Sequence, residues 1–205
     1  MRAGAVVLAA GAATRFGGNK LAAPLAGRPV LRHVIDAAVE AGLDPIIVVG
    51  PPDDRLRDVR LQPARIVVND HPEDGLSSSV RLGLRALDDD GTRPSLDAAV
   101  LLQGDQPLVR ASTIRALLAA AEETPGVPFV VARHAADRSP NPVVARRSTW
   151  RLADELAGDR GFGPLLATHD ELVRFVAIEG DNPDVDTPAD LARLRDTAEP
   201  PADVS

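Results

Sequence analysis

The sequence contains no cysteine, no tyrosine, one tryptophan and four phenylalanines, so aromatics make up only 2% of its 205 residues. Without cysteine there is no disulfide, no zinc–thiolate centre and no thiol nucleophile. With so few aromatics, nucleobase stacking on aromatic platforms is not expected. Basic residues are outnumbered by acidic ones, 23 against 30, for a formal net charge of −7. That balance does not fit a general nucleic-acid surface, so any anion site must be built locally. No apolar run approaches the roughly 18 residues that a membrane span needs. No basic-then-apolar leader opens the chain, and the expectation is a cytoplasmic protein without membrane or nucleic-acid partners. Lysine is almost missing as well: Lys20 is the single lysine, and every other basic residue is arginine.

What is present reads as an α/β chain. Hydrophobic residues are 44% of the total, and the length suits one domain with a sizeable core. Ala5–Ala9 is an unbroken apolar run, as for a strand buried on both faces of a parallel sheet. Leu31, Val34, Ile35, Ala38 and Val39 follow helical spacing after Gly27-Arg28-Pro29, which reads as the helix start, and before Gly42. Further strands are expected over 44–49, 65–68, 98–102, 129–132 and 172–178. Helices are expected from Leu76 and over 111–123, 149–157, 163–168 and 187–195. Pro142–Ala145 reads as a segment pairing antiparallel nearby. The alternation predicts a mainly parallel sheet flanked by helices, with ligands beyond the carboxyl ends of its strands. Residues 1–198 read as one domain, 133–170 as its acceptor-side lobe and 199–205 as a flexible tail.

Chemistry collects at two strand ends. Gly11, Gly17 and Gly18 follow the first strand, with Arg15 and Lys20 among and beyond them. A glycine-rich turn there lets backbone N–H groups approach an anion, and the two cations complete a phosphate site. Gly104-Asp105 follows the fourth strand directly. A carboxylate at a strand end is costly to desolvate unless a cation offsets it, and Mg²⁺ shared with a triphosphate would do so. Asp105 lies several residues too early to cap the helix from Ala111. For Asp186 two roles stand open: metal ligand, or cap of the helix that begins near Pro188.

Leu8-Ala9-Ala10-Gly11, Arg15, Gly17 and Lys20 resemble the L-A-A-G-x-x-x-R-x-G-x-x-K signature of the nucleotidyltransferase superfamily. Neither a Walker loop nor a G-x-G-x-x-G fingerprint is present. Gly104-Asp105-Gln106-Pro107 resembles the G-D-x-P of the molybdenum-cofactor nucleotidyltransferases, where that Asp holds the metal. Val185-Asp186-Thr187-Pro188-Ala189-Asp190-Leu191 looks like the ending of the same MobA-like family. Asn69, Gly75, Ser77, Ser78, Ser79 and Arg81 match a block of its cytidylyl branch. Asn141-Pro142-Val143-Val144, Arg146-Arg147 and Gly158-Asp159-Arg160-Gly161 lie where the molybdopterin cytidylyltransferases show G-H-P-V and G-D-x-G, with Ser139-Pro140-Asn141 in place of the Gly-His before the proline.

The resemblance implies a Rossmann-like nucleotide-diphospho-sugar transferase fold. It also implies transfer of a nucleotidyl group, CMP from CTP, to a phosphate acceptor of molybdopterin type, with release of pyrophosphate. The cofactor would be Mg²⁺, with Mn²⁺ as substitute, and a molybdoenzyme could receive the product. Catalytic roles fall to Lys20, Arg15 and Asp105, metal binding to Asp105 and Asp186, and nucleotide binding to Leu8 through Ala12, Asn69, Gly75, Ser77–Ser79 and Gly104. The rival readings are a guanylyl or sugar-type transferase, an NAD(P)H-dependent oxidoreductase of the same fold, and a cofactor-insertion chaperone without catalysis.

Overall fold

The computed structural model describes residues 1–11, 15–89, 95–134 and 141–198. Seven strands form one sheet: β1 (Ala3–Leu8), β4 (Ile46–Gly50), β5 (Arg65–Val68), β6 (Ala98–Gln103), β7 (Phe129–His134), β8 (Val143–Arg146) and β9 (Val173–Ile178). Their order is β5-β4-β1-β6-β8-β7-β9. Every pairing is parallel except those of β8, which runs antiparallel to β6 and β7 between them.

The unbroken apolar reading of β1 has a direct cause. All six of its residues are buried, and it has a parallel neighbour on each side. Period-two alternation sends Ala3, Ala5 and Val7 to one face and Val6 and Leu8 to the other. On the first face lie α1 (Val30–Glu40), through Leu31, Val34 and Ile35, and α3 (Ala111–Glu123), through Ile114 and Leu117. On the second lies α2 (Leu76–Asp88), through Val80, Leu84 and Leu87. Helix and sheet approach so closely there that a Cβ on Gly83 would stand 2.3 Å from Val6 Cγ1. The edge strand β5 is largely exposed, with Ile66 and Val68 each 43% accessible.

Two elements differ from the sequence expectation. Gly27-Arg28-Pro29 does not start the helix. Pro24–Leu25 (β2) pairs with Arg28–Pro29 (β3) around Ala26 and Gly27, whose φ values are 47° and 75°. Two successive positive φ angles close a tight hairpin, and α1 begins at Val30. Its first amides are taken by the chain before the hairpin, Val30 N to Ala23 O at 3.0 Å and Leu31 N to Leu21 O at 3.0 Å. The segment expected as a helix over 149–157 is a 3₁₀ helix over Arg147–Glu155. Residues three apart eclipse in that winding, which puts Trp150 and Ala153 together in the core. A short helix, α4 (Gly163–Thr168), follows. The last helix, α5 (Pro188–Ala198), packs Leu191 and Leu194 with Leu25, Val30 and Val185. The 199–205 tail lies outside the described residues. Among the described residues no helix is long and apolar enough to cross a membrane.

Candidate active site

β1 and β6 run side by side to their carboxyl ends, where Leu8 pairs with Gln103. The chains leave as Ala9–Gly11 and Gly104–Asp105. Gly104 N donates to Leu8 O at 2.9 Å. A Cβ on Gly104 would stand 2.9 Å from that same oxygen, so only glycine lets the two exits lie together. Asp105 O in turn accepts from Val185 N at 2.9 Å. That bond draws the irregular segment 181–186 to the same edge.

Lys20 stands at the meeting point and is only 9% exposed. Its Nζ donates to Asp105 Oδ2 at 2.5 Å and to Asp186 Oδ1 at 3.1 Å. Arg15 Nη2 lies 3.0 Å from Asp186 Oδ2. Burial alone would lower the Lys20 pKa, but the charges and hydrogen bonds of Asp105 and Asp186 outweigh it and hold the ammonium above its ordinary value. Four groups from three distant parts of the sequence thus share one charge network.

The cap of α5 is a separate device. Asp190 Oδ2 accepts from Thr187 N at 2.7 Å and from Asp186 N at 3.1 Å, and Thr187 Oγ1 accepts from Asp190 N at 3.2 Å. This is a reciprocal capping box led by Thr187. The Asp186 carboxylate takes no part in it and faces Lys20 and Arg15.

The network divides a cleft into two lobes. One, of about 360 Å³, is walled by Leu8–Gly11, Pro72, Glu73, Gly75 and Ser79. The other, of about 610 Å³, takes in Arg15, Asn141, Val143, Arg160–Gly163, Leu166, Asp184 and Asp186. Leu8, Gly11, Lys20, Leu76, Gln103, Asp105 and Asp159 belong to both. Gly75, at φ 86°, is crossed so closely by Gly158-Asp159 that a Cβ would lie 2.5 Å from Asp159 Oδ1.

The polar block around the start of α2 is more brace than wall. Asn69 is 4% exposed, and its Nδ2 donates to Ser78 Oγ at 2.8 Å and Ser79 Oγ at 3.0 Å. Its Oδ1 accepts from His71 N at 3.0 Å. Ser77 Oγ donates to Asp74 O at 3.4 Å, and Ser78 Oγ to Gly75 O at 2.8 Å. Of this block Gly75 and Ser79 reach the cleft, while Asn69, Ser77 and Ser78 hold the turn. Ala12 lies outside the described residues. Asp159, read in the sequence only as part of the Gly158–Gly161 motif, lines both lobes; sequence reasoning passed over Asp184 and Arg55. Arg55 Nη1 donates to Gly11 O at 3.0 Å and braces the glycine turn.

Asp105 and Asp186 suit a hard divalent cation. They offer carboxylate oxygens only, and they already converge on one positive charge. Among the described residues no three Asp, Glu or His side chains gather on one point. That is no all-protein cage, but two carboxylates with water and phosphate oxygens are the usual setting for Mg²⁺.

A mostly parallel sheet with helices on both faces and this cleft beyond its carboxyl ends is the Rossmann-like nucleotidyltransferase fold. The chain belongs to the MobA-like NTP transferase domain family, whose model matches residues 5–172. Among solved structures it is similar to Rv0371c from Mycobacterium tuberculosis H37Rv. The TM-score is 0.81 at 30% identity, covering 96% of this chain and 98% of that one. A second structure of Rv0371c, in complex with manganese, gives a TM-score of 0.76 at 28% identity, over 96% of this chain and all (100%) of that one. Among curated proteins, the bifunctional protein GlmU of Clavibacter sepedonicus is 38% identical over 120 residues, 56% of this chain and 24% of that protein. The 2-C-methyl-D-erythritol 4-phosphate cytidylyltransferase of Cereibacter sphaeroides is 38% identical over 131 residues, 62% of this chain and 56% of that protein. The chain therefore spans about a quarter to about half of these curated relatives.

Proposed function

We propose that this chain is a divalent-metal-dependent nucleotidyltransferase that moves CMP from CTP to a phosphate acceptor of molybdopterin type and releases pyrophosphate. The observation that carries the reading is Lys20 Nζ shared between two carboxylates beside the glycine turn. An oxygen of the acceptor phosphate attacks the α-phosphorus. The bond from that phosphorus to the bridging oxygen breaks, and the electron pair leaves with pyrophosphate. No side chain becomes covalently attached, in keeping with a chain that has no cysteine. The work is positioning and charge stabilisation. Amides of Ala10 and Gly11 hold the phosphates. Lys20 and Arg15 supply positive charge to the α-phosphate and the leaving group. Asp105 and Asp186 would hold Mg²⁺ or Mn²⁺, which when bound supplies Lewis-acid stabilisation of phosphate charge.

The smaller lobe takes the nucleotide and the larger the acceptor. Residues 1–198 act as one domain, with 133–170 supplying the acceptor wall. The choice of CTP is supported by the Ala9-Ala10-Gly11 turn and by the cytidylyltransferase named above. The metal is supported by the manganese complex of Rv0371c. The acceptor is supported by the segments at Asn141–Val144 and Gly158–Gly161, and a molybdoenzyme is the natural recipient of such a product. The test is pyrophosphate release from each of four nucleoside triphosphates with Mg²⁺ or Mn²⁺. Each is offered molybdopterin, 2-C-methyl-D-erythritol 4-phosphate or a sugar 1-phosphate. CTP with molybdopterin should give the fastest release. A preference for GTP, or for either other acceptor, would reassign the branch, and no release from any pair would sink the transferase reading.

A further inference from the structure

Gln106 is 1% exposed and among the largest fully buried side chains. A buried amide needs partners for both of its ends. Here both partners come from one distant segment. Gln106 Nε2 donates to Asp184 Oδ1 at 2.9 Å, and Gln106 Oε1 accepts from Asn182 Nδ2 at 3.1 Å. The carboxylate can only accept at neutral pH, so it fixes which end of the amide faces it. One residue back, Asp105 O takes Val185 N at 2.9 Å. Segment 181–186 has no regular secondary structure of its own, yet it delivers Asp186 to Lys20. These ties stitch it to the two residues that follow the β6 exit.

We infer that Gln106 is a positioning residue for the carboxylate pair: by clamping Asn182 and Asp184 it sets where Asp186 stands relative to Asp105. The inference rests on the nucleotidyltransferase reading. Asp105 arrives on a rigid strand end, whereas Asp186 arrives on an irregular segment. The spacing of the two is therefore only as fixed as the bonds that hold the segment. Gln106 touches neither Lys20 nor the proposed phosphates. Its effect on the site passes through Asp184 and the backbone on to Asp186.

The test is Gln106→Met in the full chain, which keeps most of the volume and removes both amide bonds. Mn²⁺ affinity is read by electron paramagnetic resonance with a non-hydrolysable CTP analogue. Steady-state kinetics are read beside it, with circular dichroism to check the fold. A supporting residue around a metal typically accounts for 10–100-fold in metal affinity or activity. We expect Mn²⁺ affinity and kcat each to fall roughly 10-fold, with KM for CTP little changed, and excess Mn²⁺ to restore much of the lost turnover. A residue that only stabilised the fold would give neither the kcat-against-KM split nor the rescue by metal. Gln106→Glu, which sets a carboxylate against Asp184, should fall further than Gln106→Met. If Gln106→Met does not fold, Asn182→Ala removes one tie alone and should show the same pattern to a smaller extent. A folded variant with wild-type Mn²⁺ affinity and kcat overturns the inference, as does unfolding of both variants. Failure of the wild-type chain to bind Mn²⁺ with the analogue would instead overturn the function on which the inference rests.

Discussion

The two lobes of the cleft are built from different parts of the chain. The smaller is walled by Leu8–Gly11 after β1 and by Pro72, Glu73, Gly75 and Ser79 around the start of α2. Buried Asn69 and half-buried Arg55 brace those turns from behind. The larger adds the side-chain wall of Asn141, Val143, Arg160, Phe162 and Leu166, carried on an antiparallel strand and short helical turns. Glycine turns such as those at Gly11 and Gly75 let backbone approach an anion, which suits phosphate. A side-chain wall takes its shape from individual residues, which suits the choice among acceptors. Lys20, Asp105 and Asp186 form the seam between the lobes. A change at the seam should therefore cost turnover with every acceptor, and a change in the side-chain wall should be felt with some acceptors only.

The largest expected effect is at Asp105. Asp105→Asn should lower turnover by about 10³-fold, the upper end for loss of a preorganised charge-stabilising group. Apo stability should fall modestly, because the buried Lys20 ammonium loses its nearer carboxylate and keeps only Asp186. The thermal shift caused by Mn²⁺–CTP should vanish, and differential scanning fluorimetry beside an activity assay would read both. Retention of the shift would remove Asp105 from the metal site.

Lys20→Met should lower turnover by about 10²-fold. It should also tighten Mn²⁺ in the absence of nucleotide, because the ammonium and the metal seek the same two carboxylates. Calorimetric titration decides this, and weaker Mn²⁺ binding would contradict it. The pH dependence has a definite sign. The folded-state pKa of Lys20 is raised, so its contribution to stability is fully present below the unfolded value of about 10.4 and is lost as pH rises through the folded value. The difference in urea midpoint between wild type and Lys20→Met should stay level from neutral pH to that value and shrink above it.

Arg160→Ala tests the contrast between the lobes directly. Loss of one charged hydrogen-bond donor should raise KM for the acceptor roughly 10-fold and leave KM for CTP within about twofold. Equal changes in both would dissolve the distinction. The smallest effect separates the cap from the site. Thr187→Ala should cost about 1 kcal/mol of stability with turnover kept. Asp186→Asn should do the reverse, losing turnover with little change in midpoint, since the cap belongs to Thr187 and Asp190.

Legibility in the sequence followed the same division. β1 could be read from its apolar run, and α3 occupies the residues that its spacing predicts, because each is decided by local pattern. Lys20 and Asp105 could be read because a lone lysine and a strand-end carboxylate both stand out against their surroundings. The antiparallel run of β8 was expected over Pro142–Ala145 and is found over Val143–Arg146, but its insertion between β6 and β7 could not be read, since nothing local tells a strand which neighbour it will pair with. The β2–β3 hairpin was missed because two-residue strands show no period and Ala26 gives no hint of positive φ. Gln106 and Asp184 were missed for another reason: a buried amide reveals its purpose only when its partners arrive from far along the chain. One signal was available: Asp184 stands only two residues before Asp186, and both line the same lobe.

The isolation of Lys20 has a practical side. It is the only side-chain amine in the sequence, and it sits between Asp105 and Asp186. Apart from the chain's α-amine, which is paired with Glu122, every amine-directed reagent therefore has one address. A protein grown on ¹⁵N-lysine would give one ammonium resonance, placed beside the proposed metal position and free of overlap. An acylating probe read at the peptide that carries Lys20 would count the opening of this one ion-pair network. Few sites come with their own reporter atom built in, and here the scarcity of lysine supplies it.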